Sequence, residues 1–193
     1  MNTYAAICAA GAGSRMGQNK ALCTIYGQTF LRHIVHTLHQ VDIRNIVAVT
    51  GAQCQQVRDT HRDLDIIWAH NPNWQTTFML ETLLCALQAI PEHSDIIQWP
   101  VDCLCVHPDD LRALLDAPPA PLSVLTWHGK PGHPMRISAE IADLMRNASL
   151  PMHSLRDLTT SYPCAYIDAA HDALLNCNTP QQLSEFEAQH ALS

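Results

Sequence analysis

The stretch Gly11-Ala12-Gly13-Ser14-Arg15-Met16-Gly17-Gln18-Asn19-Lys20, set directly after the apolar run Tyr4-Ala5-Ala6-Ile7-Cys8-Ala9-Ala10, constrains this chain more than any other part of it. The apolar run reads as a first strand, so three glycines, an arginine and a lysine share one loop at a strand's C-terminal end. Glycine permits positive φ and lets backbone N–H groups approach a ligand with no Cβ in the way. Successive inward-facing N–H groups make an anion nest, to which Arg15 and Lys20 add full positive charges. Such a loop suits a polyphosphate.

The pattern beyond the loop alternates between helical and strand periodicity. Phe30, Leu31, Ile34, Val35 and Leu38 recur at helical spacing within 29–41, and 45–50 is a short β-branched run ended by Gly51. Residues 53–62 are polar and helical in pattern, and 64–69 are again apolar. Met79 to Ile90 marks a helix that stops at Pro91, 95–101 the next strand, and 108–115 a helix with proline at its start. Residues 122–127 and 163–168 read as strands, 129–134 as a loop, and Thr179-Pro180 as the cap and first turn of a closing helix with Leu183 and Phe186 inward. Strands alternating with helices imply parallel strands and helical crossovers. The expected fold is α/β: an open, mostly parallel twisted sheet with helices on both faces, binding its ligand outside the carboxyl ends of the strands. No linker, repeat or low-complexity segment divides the 193 residues, so 1–193 reads as a single domain.

Composition removes several function classes. A net charge of −7 with only eleven Lys and Arg leaves no basic surface for a nucleic acid. No stretch approaches the ~20 apolar residues of a membrane span, and no leader pattern precedes the first strand. The eight cysteines form no regular framework and read as reduced thiols of a cytoplasmic protein. His33, His36 and His39 read as a solvated helix stripe. Cys103, Cys105 and His107 would share one face of an extended segment, yet a tetrahedral zinc site needs a fourth ligand.

Spacing excludes two familiar phosphate loops. A dinucleotide fingerprint needs Gly-x-Gly-x-x-Gly, whereas Gly11, Gly13 and Gly17 are one residue too far apart, and no acidic residue ends the run 45–50. A Walker loop needs Gly-Lys followed by Ser or Thr, but Gly17 precedes Gln18 and Lys20 precedes Ala21. The longer pattern from Ala9 to Gly17, continued by Lys20, Leu22 and Gly27, resembles the signature of the molybdenum cofactor nucleotidyltransferase family, and is most similar to its cytidylyltransferase branch. Four further segments resemble that family in order: Asn71-Pro72-Asn73-Trp74 with Met79 to Leu83; Trp99-Pro100-Val101-Asp102; Gly132-His133-Pro134; and Asn176-Cys177-Asn178-Thr179-Pro180. The resemblance covers nearly the whole chain and implies a Rossmann-like nucleotidyltransferase fold.

What the resemblance implies is an Mg²⁺-dependent transfer of a nucleoside monophosphate from a triphosphate to a phosphorylated small-molecule acceptor, molybdopterin cofactor first, with release of pyrophosphate. By it, Gly11, Ala12 and Gly13 cradle phosphates, with Ala9, Ala10, Ser14, Asn71 and Thr82 completing the nucleotide site. Arg15 grips the β/γ end, Lys20 the α-phosphate, Asp102 and Asn178 hold Mg²⁺, and Gly132 and His133 meet the acceptor. The position of Asp102 at a strand's C-terminal end favours the metal role over that of a turn-initiating residue before a proline-started helix, whereas Asn178 reads equally as a shaper of the turn into the last helix. Ala10 and the Gly-His-Pro turn favour CTP over GTP, while Asn176-x-Asn178 resembles the guanylyl branch. Phe78 stands where the family has glycine, Thr82 where it has serine, and Asp102 lacks the polar-Pro pair that follows it in the family. Two other readings stay open: a sugar, polyol or choline phosphate as acceptor, and a nucleotide- or cofactor-binding protein without turnover. The implied partners are a nucleoside triphosphate, the acceptor and, transiently, a molybdoenzyme or its chaperone.

Overall fold

The computed structural model describes residues 2–147, 152–173 and 175–190. In chain order its elements are β1 (Asn2–Ala9), β2 (Thr24–Ile25), β3 (Gln28–Thr29), α1 (Phe30–Gln40), β4 (Ile46–Thr50), α2 (Cys54–Thr60), β5 (Ile67–His70), α3 (Met79–Leu87) and β6 (Ser94–Pro100). They continue with α4 (Pro108–Asp116), β7 (Leu122–Trp127), β8 (Lys130–Ile137), α5 (Ala139–Arg146), α6 (Leu155–Ser161), β9 (Cys164–Asp168) and α7 (Pro180–His190).

β1 is unbroken in its apolar character because both of its faces are covered. Ala5, Ile7 and Ala9 join one hydrophobic cluster, and Ala6 and Cys8 join the other. It pairs in parallel with β4 on one side and β6 on the other, and β5 extends the set past β4. The seven-stranded order is β5-β4-β1-β6-β8-β7-β9. β8 is antiparallel to both β6 and β7, while β7 and β9 are parallel. Among the described strands of this sheet, β8 alone therefore runs against the rest, as a mostly parallel reading requires.

The helices divide between the two faces. On the first, α1 buries Phe30, Leu31, Ile34, Val35 and Leu38, the residues its spacing predicts, beside Leu111 and Leu114 of α4 and Phe186 of α7. On the second, Leu80, Leu83, Ala86 and Leu87 of α3 meet Ile141, Ala142 and Met145 of α5. The expected cap at Thr179 forms, its hydroxyl accepting the Gln182 N–H at 3.3 Å, and the Thr29 hydroxyl caps α1 by accepting the Arg32 N–H at 3.3 Å. The eight cysteines are free thiols. No helix among the described residues is long and apolar enough to cross a membrane.

Three local expectations need correction. Of residues 129–134, read as a loop, 130–134 enter β8, because Lys130 and Pro131 pair with Trp127 and Thr126 while Met135, Arg136 and Ile137 pair with Gln98, Ile97 and Ile96. The register nevertheless breaks between Val124 and Thr126 opposite Gly132-His133-Pro134, which have no ladder partner. The helices α5 and α6 and the ribbon β2-β3 lie outside the sequence reading altogether. Of the histidine stripe, only His36 is exposed; His33 Nε2 lies 2.6 Å from the Ile25 carbonyl oxygen, under the ribbon.

His61 is fully buried between α1 and α2, with Nδ1 2.7 Å from the Val57 carbonyl oxygen and Nε2 2.6 Å from the Thr29 hydroxyl. A neutral ring satisfies both contacts, donating to the carbonyl and accepting from the hydroxyl, and burial holds its pKa below the ordinary 6.5. The unfolded chain then takes up the proton first, so this residue's contribution to stability is full above pH 6.5 and falls as pH drops toward the folded value. Urea midpoints measured between pH 7.5 and 5 should decline less steeply for His61→Gln than for the unaltered protein. At neutral pH, Leu83→Ala in the fully buried face of α3 should cost about 2–5 kcal/mol, whereas Ile67→Ala, 46% exposed on edge strand β5, should change stability by no more than about 0.5 kcal/mol.

Candidate active site

The loop that leaves β1 takes its shape from a few backbone demands. At Gly13 φ is 67°, and a Cβ there would stand 2.0 Å from the Gln18 carbonyl oxygen. The short 3-10 turn Ser14–Met16 follows, with Met16 buried beneath it. Asn19 is fully buried: its amide N–H donates to the Ala52 carbonyl at 2.8 Å and its amide oxygen accepts the Ala21 N–H at 2.9 Å. These two bonds fasten the loop to the segment after β4 and open a second 3-10 turn, Lys20–Leu22, whose first residue is the lysine.

Two other chain segments close on it. The Val101 N–H donates to the Cys8 carbonyl at 3.1 Å, holding the end of β6 against the end of β1 and placing Asp102 beside the loop. The Cys177 N–H donates to the Asp102 carbonyl at 2.9 Å, which lays residues 176–178 along the same end. The side chains then converge. Lys20 Nζ lies 2.6 Å from Asp102 Oδ2 and 2.8 Å from Asn178 Oδ1, and Arg15 Nη2 donates to that same amide oxygen at 2.9 Å. The Lys20 and Asp102 side chains are 16% and 20% exposed, so their attraction is screened less than that of a surface pair. Asp102 and Asn178 thus direct two hard oxygen donors at one cationic centre, a donor set that suits Mg²⁺, which is held by few protein oxygens plus those of a substrate.

Three cavities surround this cluster. The first, of about 250 Å³, is lined by Gly11, Gly13, Ser14, Arg15, Lys20 and Asp102 together with Cys8, Met79 and Val101. The second, about 410 Å³, shares Cys8, Gly11, Arg15 and Met79 with it and adds Ala10, Trp74, Thr77, Phe78 and Thr82. The third, about 400 Å³, lies past Asp102 and is lined by Cys103, Gly132, His133, Met135, Leu155, Arg156, Thr159 and Asn176, among others. Asp102 borders the first cavity and its neighbour Cys103 the third.

Most residues singled out from the sequence line these cavities. Ala9 does not: its methyl packs into the core, leaving only its backbone toward the site. Ala12 is exposed and lines none of the three. Asn71 is buried, and its amide nitrogen donates to the Thr77 hydroxyl at 2.9 Å and the Thr82 hydroxyl at 3.2 Å, so it braces the wall of the second cavity. The Cys8 thiol, at the floor of two cavities, is pushed up to about 12 by burial, which keeps it protonated and unreactive. His133 Nδ1 is buried with no partner among the described residues. Burial also lowers that ring's pKa, against the opposing pull of the Asp102 charge.

The extended Cys103-x-Cys105-x-His107 face does not form. Cys103 is buried with its thiol 3.0 Å from the His133 carbonyl oxygen, Cys105 has φ 58°, and His107 Nδ1 accepts the Asp109 N–H at the start of α4. His107, Asp109 and His171 do lie close together, but the two imidazoles are stacked at 3.7 Å with 18° between their planes. Their in-plane lone pairs run side by side and do not meet at one ion.

Sequence reasoning missed Asn19, whose role needs the Ala52 carbonyl brought from another segment. It also missed α6, which supplies Arg156 and Thr159. There a signal existed: Ser154 and Asp157 form a capping pair, with the Ser154 N–H donating to Asp157 Oδ2 at 2.9 Å.

The sequence profile of the MobA-like NTP transferase domain matches residues 5–166. A nucleotidyl transferase from Methanothermobacter superposes with TM-score 0.79 at 21% identity over 97% of each chain. The CTP:phosphocholine cytidylyltransferase of Streptococcus pneumoniae superposes with TM-score 0.68 at 12% identity, covering 98% of this chain and 99% of that one. At such identities the likeness is one of fold. In sequence, the bifunctional protein GlmU of Francisella tularensis is 34% identical over 93 residues, 47% of this chain and 19% of that protein, so the match spans about a fifth of the relative's length.

The loop geometry yields a paired test. Gly13→Ala meets both a positive φ and a carbonyl oxygen 2.0 Å away, whereas Gly17→Ala, at φ 74° with nothing within 4 Å, meets the backbone penalty alone. Gly17→Ala should cost about 1–2 kcal/mol of unfolding free energy, and Gly13→Ala distinctly more, as read from urea denaturation of the two variants.

Proposed function

Because the chain belongs to the MobA-like NTP transferase domain family, we propose that it transfers a cytidylyl group from CTP to the phosphate of molybdopterin cofactor, with Mg²⁺ and release of pyrophosphate. The observation that carries this reading is the convergence of Lys20, Asp102, Asn178 and Arg15 beside the loop-lined cavity, with Cys103, the residue after Asp102, lining a second one. A transferase needs that arrangement: donor on one side, acceptor on the other, and charge-bearing groups at the boundary where the phosphoryl group passes.

The loop supplies N–H groups from Gly11 and Gly13 to the triphosphate, and Arg15 neutralises its β/γ end. Lys20, held between Asp102 and Asn178, meets the negative charge that builds on the α-phosphoryl oxygens. The Asp102 carboxylate and the Asn178 amide oxygen would hold Mg²⁺, which when bound supplies charge neutralisation on phosphoryl oxygens. The acceptor's phosphate reaches the cluster from the third cavity. There Met135, Leu155 and Leu175 offer apolar contact for a ring system, and His133 Nδ1 offers an unused hydrogen-bonding atom.

Two features support cytosine. The Ala10 methyl narrows the second cavity where a purine needs more room than a pyrimidine. The Thr77 and Thr82 hydroxyls donate to the carbonyls of Asn73 and Phe78, at 2.9 and 3.1 Å, and each accepts one N–H of the Asn71 amide, so each keeps a single lone pair to offer. Lone pairs welcome the exocyclic amino group of cytosine and repel the carbonyl oxygen that uracil carries there.

Pyrophosphate release measured across the four triphosphates, with Mg²⁺ and with or without molybdopterin, phosphocholine and sugar phosphates, tests the reading. CTP with molybdopterin should give the highest rate, and silence in every combination would leave a binding protein. Lys20→Ala should lower kcat/KM by about 10²–10³, and Asp102→Ala should remove Mg²⁺-dependent turnover. Wild-type turnover in either variant refutes the corresponding role.

A further inference from the structure

Phe78 is 79% exposed, far more than Tyr26, Ile67 or Tyr166, the other large apolar side chains at the surface among the described residues. Leaving a phenyl ring in water forgoes the burial that holds aromatic residues in place elsewhere. Its backbone, by contrast, is tightly held. The Phe78 N–H donates to Glu81 Oε2 at 2.9 Å, and its carbonyl accepts the Thr82 N–H at 3.3 Å and the Thr82 hydroxyl at 3.1 Å. Asn71 braces Thr82 from beneath. The ring is therefore a bare aromatic surface on a fixed mount at the start of α3.

Its place is specific. Phe78 lines the second cavity together with Ala10, Trp74, Thr77 and Thr82, and that cavity runs into the phosphate loop through Gly11 and Arg15. A nucleotide with its phosphates in the loop puts its base there. We propose that Phe78 stacks on the nucleobase, fixing the nucleotide's orientation so that the α-phosphate faces Lys20 and Asp102. The proposal rests on the transferase reading of the site. Every nucleobase has a π-face, so stacking supplies affinity, and the edge atoms of the cavity supply the choice among bases. Glycine, which the resembling family has at this position, offers no such surface.

Equilibrium binding separates the ring's contribution from that of the phosphates. Calorimetric titrations in Mg²⁺ would use CTP, GTP and inorganic tripolyphosphate, on the unaltered chain and on Phe78→Ala and Phe78→Tyr. With its side chain in solvent, Phe78→Ala should melt at the same temperature as the unaltered chain. Phe78→Ala should weaken binding of the preferred nucleotide about tenfold, leave tripolyphosphate within about twofold, and be rescued by Phe78→Tyr. Nucleotide binding unchanged in Phe78→Ala, or weakened equally with tripolyphosphate, overturns the stacking role and leaves the transferase reading standing. If the unaltered chain binds neither nucleotide nor tripolyphosphate, the transferase reading falls and the stacking role with it.

Discussion

The Lys20 ammonium, held at 2.6 Å from Asp102 and 2.8 Å from Asn178, is the contact on which the site depends. It joins three segments far apart in the chain: the loop after β1, the end of β6 and the turn into α7. A single positive charge satisfies two oxygen acceptors there, and Arg15 shares one of them. Without a cation at that point, a carboxylate and an amide oxygen would face each other in a partly desolvated cleft. The cluster is therefore a structural tie between these three segments.

The sheet makes that convergence possible. β1 is central and lined with small residues, and its neighbours β4 and β6 run parallel to it, so the loops leaving all three strands open on one edge. Close approach at that edge is demanding. Gly51 could not carry a Cβ, which would lie 2.4 Å from the Ala10 carbonyl oxygen and 2.6 Å from Trp74 Cβ. The reversed strand β8 then brings Gly132 and His133 to the far side of Asp102, in the stretch where its register breaks. Unpaired residues at such a break can aim toward a cavity, while the paired residues on either side hold them in place.

Much of this was legible in the residues. The helical spacing of Phe30 to Leu38 matched α1, the apolar runs became parallel strands, and the loop from Gly11 to Lys20 lies where a strand's C-terminal end puts it. α5 was equally periodic in Ile141, Ala142 and Met145, so its omission reflects a signal passed over. β8 is a different case. Lys130 to Pro134 carry the composition of a loop, and pairing of Lys130 and Pro131 with β7 on one side and of Met135 to Ile137 with β6 and β7 on the other draws them into a strand, since cross-strand contacts outweigh local propensity. The alternation of Cys103, Cys105 and His107 failed for a related reason: positive φ at Cys105 cancels the period on which a shared face depends.

By itself, the sequence determined most of the elements, the mostly parallel character of the sheet and the place of the glycine-rich loop after its first strand, because local periodicity, glycine spacing and chain order express short-range physics. Tertiary structure decided that Lys20, Asp102 and Asn178 meet at one point, that Asn19 anchors the loop from within the core, and that Asp102 and Cys103 border different cavities. It also decided that Phe78 stands bare at the mouth of one of them. The first two rest on contacts between segments 33 to 158 residues apart, and the last on which side of a turn faces water. Each follows from how helices pack on the two faces of the sheet, and no local pattern encodes it.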